Sequence, residues 1–190
     1  MKTKDSYFAY HVRLVHPDEK IIFWKDMELG TFLMVMQDFL MKDVRPMAWC
    51  LLPDRLEMVI RSKNPLTIGV MSDNLRNIVC IYDEFFGEVA EKRSILTETR
   101  WEISELEDKA EIRGLISRVH ALPVEKKLVK KMHLWEHSSF SEYFYEDPEM
   151  IEPELIGELI RDTLEDLGRE SNAILEHLDK EGGSEYPRLN

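Results

Sequence analysis

Cysteine is scarce: only Cys50 and Cys80 occur in 190 residues, each among apolar neighbours with no second Cys or His at ligand spacing. That excludes a disulfide framework and a Cys/His zinc site, and leaves two buried free thiols as the expectation. Glycine and proline are also few, eight of each, against 44% hydrophobic and 33% charged residues. Fibrous and low-complexity classes are thereby excluded, and the composition is that of a folded globular protein. No stretch reaches the roughly 18 consecutive apolar residues of a membrane span. Met1-Lys2-Thr3-Lys4-Asp5 leads into no signal-peptide hydrophobic block, so the chain reads as cytoplasmic with no membrane partner. Positive charge is short as well, with 25 Lys and Arg against 37 Asp and Glu and a net charge of −12. Taken alone, that deficit argues against a nucleic-acid partner.

The deficit is local, however. Residues 142–190 hold 15 acids and 4 bases, a net of −11, whereas residues 1–141 hold 22 acids and 21 bases, a net of −1. The length suits one domain of ordinary size with an appendage, and the charge break divides it into residues 1–145 and an acidic tail, 146–190. Within the tail, 153–180 reads as helical, with Leu155, Ile156, Leu159, Ile160, Leu164 and Leu167 forming an apolar stripe that Gly168 interrupts. Such a stripe suits a partner helix or the chain's own body. Beyond Gly182-Gly183 the end reads as frayed. The near-neutral body carries one basic run, Lys126, Lys127, Lys130 and Lys131.

Along the body, Tyr7 to Val15 alternates with Phe8, Tyr10, Val12 and Leu14 on one face and predicts a strand. Lys25 to Lys42 sets Leu29, Phe32, Leu33, Met36, Phe39 and Leu40 at helical spacing. Two apolar runs, Met47–Leu52 and Leu56–Ile60, flank Pro53-Asp54-Arg55, which is turn chemistry and predicts a tight antiparallel pair. Strand alternation then points Arg55, Glu57 and Val59 one way and Leu56, Met58 and Ile60 the other. A second helix is expected from Pro65 to Gly87, a strand from Arg93 to Ile103, and a third helix from Glu107 to Ala121 that Pro123 ends. The order implies an α+β fold: an antiparallel sheet with packed helices, of ferredoxin-like type, followed by the C-terminal helical acidic tail.

Five segments carry a resemblance. Tyr10-His11-Val12-Arg13-Leu14, Ile22-Phe23-Trp24-Lys25-Asp26 with Phe32-Leu33, and Met47 through Ile60 occur in that order. Arg118-Val119-His120-Ala121-Leu122-Pro123-Val124 and Trp135-Glu136-His137-Ser138-Ser139 through Tyr143 follow. Over residues 8 to about 144 the chain resembles the REP-associated tyrosine transposases of the HUH single-tyrosine superfamily. The resemblance implies that family's transposase fold and handling of palindromic DNA ends. In the family, two histidines on the second strand of the pair hold Mg²⁺ or Mn²⁺, and a tyrosine on the late helix attacks phosphorus. Position by position, the histidines are Arg55 and Glu57 here, and the tyrosine is Arg118. A guanidinium neither ligates a cation nor loses its proton, and one carboxylate is a poor divalent site. The resemblance thus implies a degenerate member with no catalytic residues and no metal cofactor, in which Arg55, Glu57 and Arg118 pair with one another.

Other candidates have plainer readings. The spacing of Tyr82 with Ile78, Val79 and Phe86 is that of core, and His11 and His120 read as hydrogen-bonding residues. Trp135, Phe140 and Tyr143 are expected to pack the closing segment on the sheet. The lysines Lys126, Lys127, Lys130 and Lys131 suit the phosphates of a DNA or RNA hairpin and equally a solvated face. Two functions follow: an inactive transposase-like hairpin binder, or an adaptor that binds a protein through residues 153–180 and the emptied cleft.

Overall fold

The computed structural model describes residues 8–23, 26–39, 44–65 and 98–145, together with Gly69, Asp73, Asn77, Ile81 and Ile151. Most of the helix expected over 65–87, with Tyr82 and Cys80, lies outside the described residues, as do residues 93–97 and the 153–180 helix. The four isolated positions 69, 73, 77 and 81 are each helical.

Four strands form one antiparallel sheet: β1 (Phe8–Val15), β2 (Arg45–Leu52), β3 (Arg55–Ser62) and β4 (Arg100–Leu106). Their order across the sheet is β2-β3-β1-β4. With helices α1 (Asp26–Phe39), α2 (Lys109–Glu125) and α3 (Phe140–Tyr145), the architecture is α+β. The β2–β3 turn is Pro53-Asp54, and the Pro53 carbonyl, left outside the ladder, accepts from the backbone of Ile22 at 2.7 Å and Phe23 at 2.9 Å. One turn thus closes a hairpin and fixes the approach to α1.

Strand alternation sorts the sheet into two faces. Tyr10, Val12, Leu14, Leu56, Met58 and Ile60 are buried on one, in a core cluster shared with Leu29, Phe32, Val35 and Met36 of α1. The other face carries Ala48, Cys50 and Val59, also fully buried, but its remaining positions in β1, β3 and β4 are largely polar. Helix α2 packs on β2 and β3. Its first turn is capped by Asp108, whose carboxylate accepts from the Ala110 N–H at 3.3 Å.

Two boundaries differ from the sequence expectation. Strand β4 starts at Arg100 and runs on to Leu106, beyond Ile103, because its polar residues are those of an edge strand. Pro123 lies inside α2. In the last turn its missing N–H forfeits a single bond, and its carbonyl accepts from Leu128 at 2.9 Å.

The free edge of β2 is closed by the segment after α2. Leu51 N–H donates to His137 O at 2.9 Å and Ser139 N–H to Trp49 O at 3.0 Å, around a Cys50–Ser138 bridge. Trp135 Nε1 donates to Leu51 O at 3.0 Å, and the Tyr143 hydroxyl to Met47 O. Trp135 and Tyr143 therefore pack the closing segment on the sheet as expected, whereas Phe140 packs on α2 in a cluster with Ala121, Val124 and Met132. Beyond α3, Ile151 is buried in the core, and its N–H donates at 2.9 Å to Glu142 Oε2, while Glu142 Oε1 accepts from Trp49 Nε1 at 3.1 Å.

Candidate functional site

The register of β1 on β3 assembles the polar face: Val15 lies opposite Arg55, Arg13 opposite Glu57, and His11 opposite Val59. Arg55 and Glu57 point together, as the alternation requires. His11 Nε2 donates to Glu57 Oε2 at 3.2 Å, and Arg55 Nη1 lies 3.6 Å from Glu57 Oε1. Arg55 holds Asp54 more closely, through Nε at 3.2 Å and Nη2 at 2.9 Å, both onto Oδ2. Lys126, at the end of α2, reaches the same oxygen at 3.5 Å.

Burial on its own would push the Glu57 carboxyl up, but the His11 hydrogen bond and the charges of His11, Arg55 and Arg13 outweigh it and hold it below the ordinary carboxylate range. Burial likewise works against the Arg55 charge, and Asp54 and Glu57 reverse that and raise it. The Cys50 thiol, opposite Glu57 on β2, is pushed well up, by burial first and then by Glu57 and Asp54. It is an inert thiol.

This donor set does not suit Mg²⁺ or Mn²⁺. Both Glu57 oxygens are engaged by cationic or hydrogen-bonding partners, and one Asp54 oxygen takes two. A divalent ion asks for several free oxygens. Among the described residues no group of three or more His, Cys, Asp or Glu stands ready to hold a metal ion.

Beside this filled centre runs a cleft of about 540 Å³ lined by His11, Arg13, Arg100, Trp101, Glu102, Ile103, Ser104 and Arg118. Arg118 projects into it from an exposed position on α2 and makes no hydrogen bond or ion pair among the described residues. The expected cluster thus forms between Arg55 and Glu57 but does not include Arg118. Across the cleft one Glu102 oxygen takes Arg13 and the other takes Arg100 at 3.1 Å. Burial would raise the Glu102 carboxyl, yet the two arginines lower it.

The basic run divides: Lys126 and Lys127 are half-buried, whereas Lys130 and Lys131 are exposed. His120 is fully buried and bonded to Ser139 Oγ at 2.8 Å, a hydrogen-bonding residue as expected. Asp54, Arg13, Arg100 and Glu102 were not singled out from the sequence. Only the strand register brings them to Arg55 and Arg118.

No family model and no curated protein matches the chain. Among solved structures, one described as a REP-associated tyrosine transposase bound to a REP hairpin is 16% identical, covering 75% of this chain and 81% of that one, with a TM-score of 0.48. No helix among the described residues is long and apolar enough to cross a membrane.

Proposed function

We propose that the protein is a transposase-like binder of DNA or RNA hairpins that does not cut them, acting in the cytoplasm. The observation that carries the reading is the cleft where Arg118, Arg13 and Arg100 face a single carboxylate, Glu102. Guanidinium groups on a concave wall suit phosphate oxygens, and Lys130 and Lys131 would extend the contact. Arg118 stands where the sequence resemblance puts the nucleophilic tyrosine, and Arg55 and Glu57 where it puts the metal-binding histidines. An arginine forms no phosphotyrosine, and the Asp54–Arg55–Glu57–His11 pairs fill the metal position.

The test is a binding series with hairpin and linear oligonucleotides over a salt range, using the full chain. Hairpin binding whose logarithmic salt slope reports roughly two or three phosphate contacts is expected. No binding at low salt would sink the reading. A covalent protein–DNA adduct, or a cut strand, with Mn²⁺ present would overturn the claim of inactivity. The charge of residues 142–190, 15 acids to 4 bases, favours a second reading: an adaptor that meets a protein partner through residues 153–180. A protein partner captured by the full chain, lost on deleting 153–180, with no oligonucleotide binding by either, would decide for it.

A further inference from the structure

The cleft contains a carboxylate in an unusual place. Glu102 is at the centre of an edge strand, and its two oxygens are divided between Arg13, on the neighbouring strand, and Arg100, two residues away on its own strand. A third arginine, Arg118, enters the same cleft from α2 without a partner among the described residues. We propose that Glu102 is an internal stand-in for a phosphate group, setting the affinity of this cleft by holding Arg13 and Arg100 until a ligand phosphate displaces it. The inference rests on the hairpin-binding reading and adds to it the residue that tunes that binding.

The geometry supports displacement. A carboxylate and a phosphodiester both present two oxygens to guanidinium donors and both carry about one negative charge. The side chains of Arg13, Glu102 and Arg100 are 36%, 29% and 62% exposed. Ion pairs so open to solvent are weak and exchange readily. The depressed Glu102 carboxyl keeps the stand-in charged at neutral pH. Three arginines against one glutamate leave an excess positive charge in a body that is near neutral as a whole, so incoming phosphate meets Arg118 first. Occupation of Arg13 and Arg100 by Glu102 keeps the affinity moderate.

The experiment compares the full chain, Glu102→Gln and Glu105→Gln by fluorescence anisotropy with a labelled DNA hairpin, with thermal melts to establish folding. Glu105 is exposed on the opposite face of the same strand, so its substitution removes the same charge away from the cleft. Glu102→Gln should bind about three- to tenfold more tightly than wild type at low salt, the gain shrinking as ionic strength rises, and Glu105→Gln should change affinity less than about twofold. A folded Glu102→Gln that binds no better than wild type, or a gain matched by Glu105→Gln, overturns the proposal while leaving hairpin binding in place. Absence of binding by all three folded proteins removes both.

Discussion

Glu57 is 2% exposed, and a buried carboxylate survives only if its partners offset desolvation. Here they are His11 and Arg55, with Arg13 contributing charge from the adjacent strand. Since these partners hold the carboxyl below its unfolded value of roughly 4.3, the sign of the linkage is fixed. The stabilisation is complete above the unfolded value and is lost as pH falls through the folded one. Glu57→Gln should therefore lower stability at pH 7 by about 1–3 kcal/mol. Its urea midpoint should also fall less steeply than the wild-type midpoint below pH 5. Equal acid slopes in the two proteins would show that the ion pairs do not hold the charge. Asp54, Arg55, Glu57 and His11 are thus expected to act on stability.

The contact of α2 with the closing segment turns on His120. Ser139 Oγ accepts from Trp49 N–H at 2.9 Å and lies 3.3 Å from Trp49 O, to which it donates, so His120 Nε2 is left to donate to it at 2.8 Å. Nδ1 is then a buried lone pair with no partner among the described residues, and a proton there would find no acceptor. Burial accordingly lowers the His120 pKa to about 3. The unfolded imidazole protonates first as pH drops below roughly 6.5, so stability present above that value drains by up to about 1.4 kcal/mol per pH unit. His120→Asn should flatten the loss between pH 6 and pH 4, as measured by chemical denaturation. An unchanged slope would refute the assignment. This element and its partners were legible in part. The turn chemistry of Pro53-Asp54 between the apolar runs Met47–Leu52 and Leu56–Ile60 revealed a hairpin, and the alternation of side chains along any strand gave the shared face of Arg55 and Glu57. The ends of β4 and α2 were misjudged, since polar Ser104 and Glu105 do not look like strand and Pro123 looks like a stop. Arg13 beside Glu102, and His11 beside Glu57, depend on inter-strand register, which no local pattern encodes.

For the whole molecule the decisive quantity is where charge and core part company. Ile151 is 3% exposed and hydrogen-bonded to Glu142, so the packed body extends past α3 to that residue. A chain ending at Tyr145 loses this apolar contact and strands one oxygen of a buried carboxylate. It should be about 2–4 kcal/mol less stable than a chain ending at Glu152. Residues 153–190 hold 10 acids and 4 bases, so ending at Glu152 halves the net charge from −12 to −6 while leaving the described core intact. Long-range repulsion between that charge and a polyanion acts over a Debye length of roughly 10 Å at 0.1 M salt. The shortened chain should therefore bind a hairpin several-fold more tightly than the full chain near 0.05 M salt, a gap that closes by about 0.5 M. Matched melts of the two proteins separate this electrostatic effect from a change in folding. Equal hairpin affinity at low salt would mean that the tail's charge lies too far from the arginine cleft to be felt. A loss of affinity on shortening would instead place residues 153–190 among the groups that hold the ligand.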